Sequence, residues 1–185
     1  MANFTKKVIR DSFLKLLEEK PLKQISVRDI VNECGVNRNT FYYHFQDIPQ
    51  LLESIIQEDA DELIRRYPTI HSAEECLEAI IEFSLAHRKS VLHIYRSVNR
   101  DIFEQYQWRV CAHAATTYID GILVNRHVSP EDRLLLIEYF KCVSFGLVNG
   151  WLESGMHDDI HDFTRRICAL KQGELEELIS RCEKK

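Results

Sequence analysis

Glycine and proline are scarce: 6 and 4 among 185 residues. That excludes the turn-dense chains of sandwiches and barrels and leaves no Gly- or Pro-rich linker. No uncharged apolar run approaches the roughly 18 residues that suggest a membrane span. The opening stretch, "MANFTKKVIRDSFLKLLEEK", interleaves its apolar residues with charges, so it lacks the apolar block of a secretory leader. The six cysteines, at 34, 76, 111, 142, 168 and 182, form no Cys-x-x-Cys pair. Cys34, Cys76, Cys111, Cys142 and Cys168 fall inside helical patterns and read as buried thiols of a reducing compartment. The expectation is a cytoplasmic protein with no membrane association. No Ser-His-Asp cluster, Gly-rich phosphate loop or His-Glu-x-x-His motif occurs, so neither an enzyme nor a cofactor is expected. His157 and His161 stand four apart beside Asp158 and Asp159, a spacing that can hold a metal. They fall at a helix start, where acids act as caps, and no metal site is expected.

What the chain does have is apolar content, 45%, enough for a sizeable core. Its net charge is −5, unevenly spread. Residues 1–50 carry 8 Lys and Arg against 6 Asp and Glu, while residues 51–185 carry 16 against 23. Any polyanionic partner should therefore meet the first 50 residues.

Nearly every segment reads as helix. Ile9, Phe13, Leu16 and Leu17 make one apolar stripe on a helix of about residues 5–19, closed by Lys20-Pro21. Ser26 and Asp29 form a capping box for a second helix, on which Val27, Ile30, Val31 and Cys34 share a face, and Gly35 suits its C-terminus. Asn37 caps a third helix of roughly 38–45, and Asp47 caps a fourth that runs to about residue 66. Further helices are expected over about 73–88, 90–97, 101–125, 130–153 and 159–181. The architecture is all-α, with about nine helices. A three-helix head, residues 1–47, precedes a helical body, residues 48–185.

Within the head, capped helix, Cys34-Gly35-Val36-Asn37 turn and second capped helix make a helix-turn-helix, whose second helix enters the DNA major groove in such units. The third helix carries five consecutive rings, Phe41, Tyr42, Tyr43, His44 and Phe45, and no helix buries five consecutive residues on one side. At 100° per residue, Phe41 and Phe45 lie together and define the inner face. Asn39 and Tyr43 lie opposite, flanked by Thr40 and Tyr42, with Arg38 at the start and His44 at the edge. Phenols and hydroxyls suit phosphate oxygens, and Arg and Asn suit base edges. The candidate DNA-binding residues are Arg28, Asn37, Arg38, Asn39, Thr40, Tyr42, Tyr43 and His44.

The stretch "SVRDIVNECGVNRNTFYYHFQDIPQLL" resembles the DNA-binding head of the tetracycline-repressor (TetR) family. Ser26 to Ile30, Gly35-Val36, Thr40, Tyr42, Phe45 and Leu51-Leu52 carry the likeness, over about 50 residues. It implies a homodimeric transcription regulator, usually a repressor, released by a small molecule from a palindromic site on double-stranded DNA. One position departs. Members commonly place a phosphate-contacting lysine at the start of the fourth helix, where this chain has Ile48. That departure opens a second reading, a protein-binding co-regulator of the same fold.

In the body, Leu136, Phe140, Val143, Leu147 and Trp151 fall in one stripe, and Gly146 and Gly150 stand four apart, where a second helix can approach closely. The family forms its dimer interface from the last two helices, and this Gly-x-x-x-Gly-Trp neighbourhood resembles it. The expected interface is Phe140, Val143, Gly146, Leu147, Gly150 and Trp151. A pocket for an unidentified small-molecule effector is expected between the helices of 72–153, with His87, His93, Tyr95, Trp108, His113, Tyr118 and Tyr139 as candidate linings.

Overall fold

The computed structural model describes residues 2–183 apart from His71, Val98 and Asp158, and the backbone alone of Ala2, Asn3, Ala73, Cys76 and Ala79. The reading of Cys76 as a buried thiol and the part of Asp158 beside the histidine pair lie outside the described residues.

The described residues form ten α-helices and no strand: α1 Ala2–Glu19, α2 Val27–Cys34, α3 Arg38–His44, α4 Ile48–Arg66, α5 Ala73–Ala86, α6 Arg88–Tyr95, α7 Arg100–Leu123, α8 Pro130–Glu153, α9 Ile160–Leu170 and α10 Glu174–Glu183. One helix expected over 159–181 is two. Gly173, at φ 85°, adopts a left-handed conformation that separates α9 from α10.

Two compact units share the chain: residues 1–59 with 87–106, and residues 60–86 with 107–185. The head unit thus takes in α6 and the beginnings of α4 and α7. Its core gathers Ile9, Phe13 and Leu17 of α1, Ile30 of α2, Phe41 of α3, and Leu51 and Leu52 of α4, each fully buried. α1 stops at Glu19 because Pro21 cannot continue a helix. A single 3-10 turn at Leu22–Gln24 then brings Leu22 and Ile25 into the same core.

The capping box at Ser26 forms as expected. The Asp29 N–H donates to the Ser26 hydroxyl oxygen at 3.2 Å, and the Ser26 N–H donates to the Asp29 carboxylate at 2.8 Å. The Ser26 hydroxyl, which also donates to that carboxylate at 2.7 Å, the Ser26 N–H and Lys20 together hold the Asp29 carboxyl at about 2, against 3.8 ordinarily. A carboxyl depressed by folding contributes stability that is complete above its unfolded value and lost as pH falls through its folded one. Acid unfolding of the head should therefore include a step between about pH 4 and pH 2. Followed by circular dichroism, that step should be missing from Asp29→Asn.

α1 and α6 cap each other. No side chain of its own N-cap residue, His87, caps α6. Glu18 of α1 does so instead: its carboxylate accepts the Ser90 N–H at 3.3 Å and the Ser90 hydroxyl at 2.5 Å. In return, His93 Nδ1 donates to the carbonyl of Leu17 at 2.6 Å, in the last turn of α1. Helix ends leave such groups without intrahelical partners. Because Ser90 is buried, Glu18→Ala should lower the head's unfolding free energy by about 1–3 kcal/mol, read from its urea midpoint.

In the other unit, Ile119, Leu136 and Ile179 join α7, α8 and α10 in one cluster, and α5 packs on α8 and α9. Arg133 donates two bonds, both 2.7 Å, to the Asp120 carboxylate. Among the described residues, no helix is long and apolar enough to cross a membrane.

Candidate nucleic-acid interface

Asn37 begins α3 by accepting the Thr40 N–H at 2.8 Å and the Thr40 hydroxyl at 3.0 Å. Its amide oxygen is thereby committed to the cap, and its NH2 group is what remains to offer a ligand. Gly35, at φ 69°, closes α2 in the left-handed conformation and lets the chain turn into α3.

The rings of α3 then divide. Phe41 and Phe45 are buried, at 0% and 5% exposure, while Tyr42 and Tyr43 are exposed at 45% and 81%. Arg38 and Asn39 are exposed, and Thr40 and His44 half-buried. Arg38 lies over the Tyr42 ring, 5.6 Å from its centroid, and donates to the Tyr42 hydroxyl at 3.2 Å. One polar face thus carries a guanidinium, an amide, two phenols and an imidazole.

The head's small net excess conceals its charge pattern. Arg10 pairs with Glu58 at 2.8 Å and with Asp59, Lys15 with Glu33 at 2.5 Å, and Lys20 with Asp29 at 3.3 Å. The other five cations of residues 1–50, Lys6, Lys7, Lys23, Arg28 and Arg38, reach no carboxylate among the described residues and are exposed. Cations that no carboxylate neutralises are the ones that can release counterions from phosphate.

Ile48 at the start of α4 is half-buried against the head core. Asp47 caps this helix, accepting the Gln50 N–H at 2.8 Å, and Pro49 has no N–H. The first turn therefore lacks two of the main-chain donors that a helix N-terminus ordinarily offers a phosphate, and that of Ile48 remains.

The second unit contains a cavity of about 310 Å³ between α5, α7, α8, α9 and α10. Its wall is mostly apolar, with Leu77, Ile122, Phe140, Val143 and Leu147, and Ser144, Cys168, Lys171 and Glu174 add polar groups. Burial pushes the Cys168 thiol up, and the charge of Glu74 adds to that, so the thiol stays protonated. Of the seven candidate pocket residues, Tyr118 alone lines this cavity. Tyr139 stands beside it and donates to Glu174 at 3.0 Å. His113 is engaged with the Tyr67 carbonyl at 3.2 Å, and Trp108 packs edge-on to Phe145 at 5.0 Å. His87, His93 and Tyr95 belong to the head unit. There His93 and Tyr95 hold α6 in place, one capping α1 and the other buried against Phe103. The cavity's other wall comes from the α9–α10 corner, whose glycine break the helical pattern did not reveal.

The expected dimer residues also divide. Phe140, Val143 and Leu147 line the cavity and Trp151 is buried at 4%, so that stripe faces its own unit. Gly146 and Gly150 are exposed with Cys142, and a Cβ built on either glycine meets nothing within 4 Å. Leu135, at 67% exposure, extends this uncovered face of α8. At 100° per residue the glycines lie beside the apolar stripe, on its exposed edge.

The five described cysteines are free thiols, but not all are buried: Cys111 is, Cys34, Cys168 and Cys182 are half-buried, and Cys142 is exposed. At the α9 start, Asp159 caps by accepting the Asp162 N–H at 3.1 Å, and His161 contacts Glu78 at 2.9 Å. Among the described residues no three potential metal ligands cluster.

Two protein-family models match the chain. The model for bacterial regulatory proteins of the TetR family covers residues 9–55, and one for the C-terminal region of transcriptional regulators covers 71–173. Among curated proteins, the dhaKLM operon transcriptional activator DhaS of Lactococcus lactis is 40% identical over 60 residues, 32% of either chain. An HTH-type transcriptional regulator of Staphylococcus aureus is 28% identical over 95 residues, 48% of this chain and 51% of that one. The chain thus matches about a third to a half of these relatives' lengths. Among solved structures, the dihydroxyacetone kinase operon activator DhaS superposes with a TM-score of 0.71 at 20% identity, covering 96% of both chains. The fatty acid degradation regulator FadR from Bacillus halodurans gives 0.60 at 15%, covering 90% of this chain and 93% of that one; these likenesses show the shared fold. The C-terminal match alone spans more than half of the 185 residues and the N-terminal match lies on the helix-turn-helix: the chain belongs to the TetR family of DNA-binding transcriptional regulators, which are not enzymes.

Proposed function

We propose that the chain acts in the cytoplasm as a homodimer on a palindromic operator, each subunit's α3 reading one half-site, and represses until a small molecule fills the body cavity. The observation that carries this reading is the exposed polar face of α3 together with five head cations that no carboxylate neutralises. Arg38 and Asn39 contact bases; Thr40, Tyr42, Tyr43 and His44 contact phosphate or base edges; Arg28 and the Asn37 amide nitrogen contact the flanking backbone. The functional division falls at residue 47, with operator contacts before it and effector and dimer contacts after. Two-fold symmetry matches two reading helices to an inverted repeat. The uncovered α8 face, with Gly146, Gly150 and Leu135, supports a second helix packing there. A ligand that binds the operator-free form more tightly weakens operator binding by that same factor.

A reporter behind the selected operator tests the sign of regulation, since the DhaS relative is named an activator. Repression predicts a rise in reporter output on deletion of the gene, and a fall would make this chain an activator too. Val143→Phe, which narrows the cavity, should leave operator binding intact and abolish release by whatever metabolite relieves repression in the host. The alternative, a protein-binding co-regulator with little operator affinity of its own, is favoured by Ile48, and by the two main-chain donors missing from the α4 start. Purification from the host with a stoichiometric protein partner and no DNA retention would support it over the operator reading.

A further inference from the structure

Ile48 removes a cation from the α4 start, and Asp47 places an anion there. A phosphate lying against this turn would find the Ile48 N–H and no charge on α4 to hold it. A cation from another helix stands at the same corner. The ammonium of Lys6, on α1, lies 5.7 Å from the centroid of the Phe45 ring. Phe45 ends α3, three residues before Ile48. Lys6 is exposed and reaches no carboxylate among the described residues, whereas Arg10, further along the same helix, is bound to Glu58 at 2.8 Å. Its one recorded contact, with the ring, is a weak one for an exposed ammonium, so the group can move onto a stronger anionic partner.

We propose that Lys6 supplies from α1 the phosphate-binding charge that α4 lacks, its ammonium gripping the DNA phosphate at the α3–α4 corner. This rests on the operator reading and adds to it a residue and a ligand group, a backbone phosphodiester. The Phe45 ring keeps the lysine at that corner when no DNA is bound. A contact to phosphate is blind to sequence, so the lysine sets affinity and salt dependence while α3 sets specificity.

The test measures equilibrium binding of the full-length protein to its selected operator and to an unrelated duplex across a salt series. Lys6→Gln should weaken both by about five-fold per subunit at 0.15 M salt and cut the slope of log K against log salt by about 1.8, about 0.9 for each subunit of the dimer. Adding Ile48→Lys to that variant should restore both quantities. Adding Glu19→Gln, which restores the same net charge at the far end of α1, should restore neither. An unchanged slope in Lys6→Gln overturns the proposal while the operator reading stands. So does equal recovery by Glu19→Gln, which would make the effect one of net charge alone. Should Ile48→Lys disturb the core, the slope of the Lys6→Gln single variant decides. Wild-type protein that binds neither duplex overturns the operator reading and this proposal with it.

Discussion

Tyr43→Ala should lower operator affinity by roughly 10- to 100-fold, the effect of about 1–3 kcal/mol for a lost DNA contact, without loosening the fold. Tyr43 is 81% exposed. Its recorded contact within the chain is edge-on to the neighbouring His44 ring, at 5.0 Å. Removing it opens no cavity and orphans no buried polar group, and substitutions of that kind stay within about 0.5 kcal/mol. Fluorescence anisotropy with the selected operator, beside a urea unfolding curve, separates the two effects. A shifted urea midpoint with unchanged affinity would give Tyr43 a packing role and reverse the assignment of the outer face.

Phe41→Ala should do the opposite, although it lies two residues away. Phe41 is fully buried, packs against Phe45 at 5.9 Å and touches the Tyr42 ring edge-on at 5.5 Å. A buried Phe truncated to Ala costs about 3–5 kcal/mol, from lost apolar burial and the cavity left behind. Much of the stability of a unit this small would go. The expected outcome is a partly unfolded head at room temperature, with a depressed first transition in calorimetry and no measurable operator binding. Native-like melting of Phe41→Ala would mean that α3 is not anchored through this ring.

These contrasts follow from features that local sequence makes legible. Ser26, Asp29, Gly35 and Asn37 act over three or four residues, and each forms the cap or turn its type favours. The two faces of α3 follow from helical spacing because its inner face has one platform, α1 with α2. What the sequence concealed was non-local. Nothing in residues 87–95 announces that α6 belongs with the head, because its Ser90 is capped by Glu18 and its His93 caps α1 at Leu17, 72 and 76 residues away. Three candidate pocket residues, His87, His93 and Tyr95, fall in the head unit for that reason. In α8 the wheel was sound, but which side faces inward depends on where α5, α7, α9 and α10 pack. The stripe from Leu136 to Trp151 therefore faces its own unit, and the glycines are left outside. The five unneutralised cations were hidden in the same way, since a count of charges does not say which of them pair.

In-vitro selection of random duplexes by the purified full-length chain tests the central claim most directly. The account predicts enrichment of an inverted repeat with half-sites about one helical turn apart, or a multiple of it, and affinity that falls steeply as salt rises. Recovery of no enriched repeat, with weak binding indifferent to salt, would contradict it.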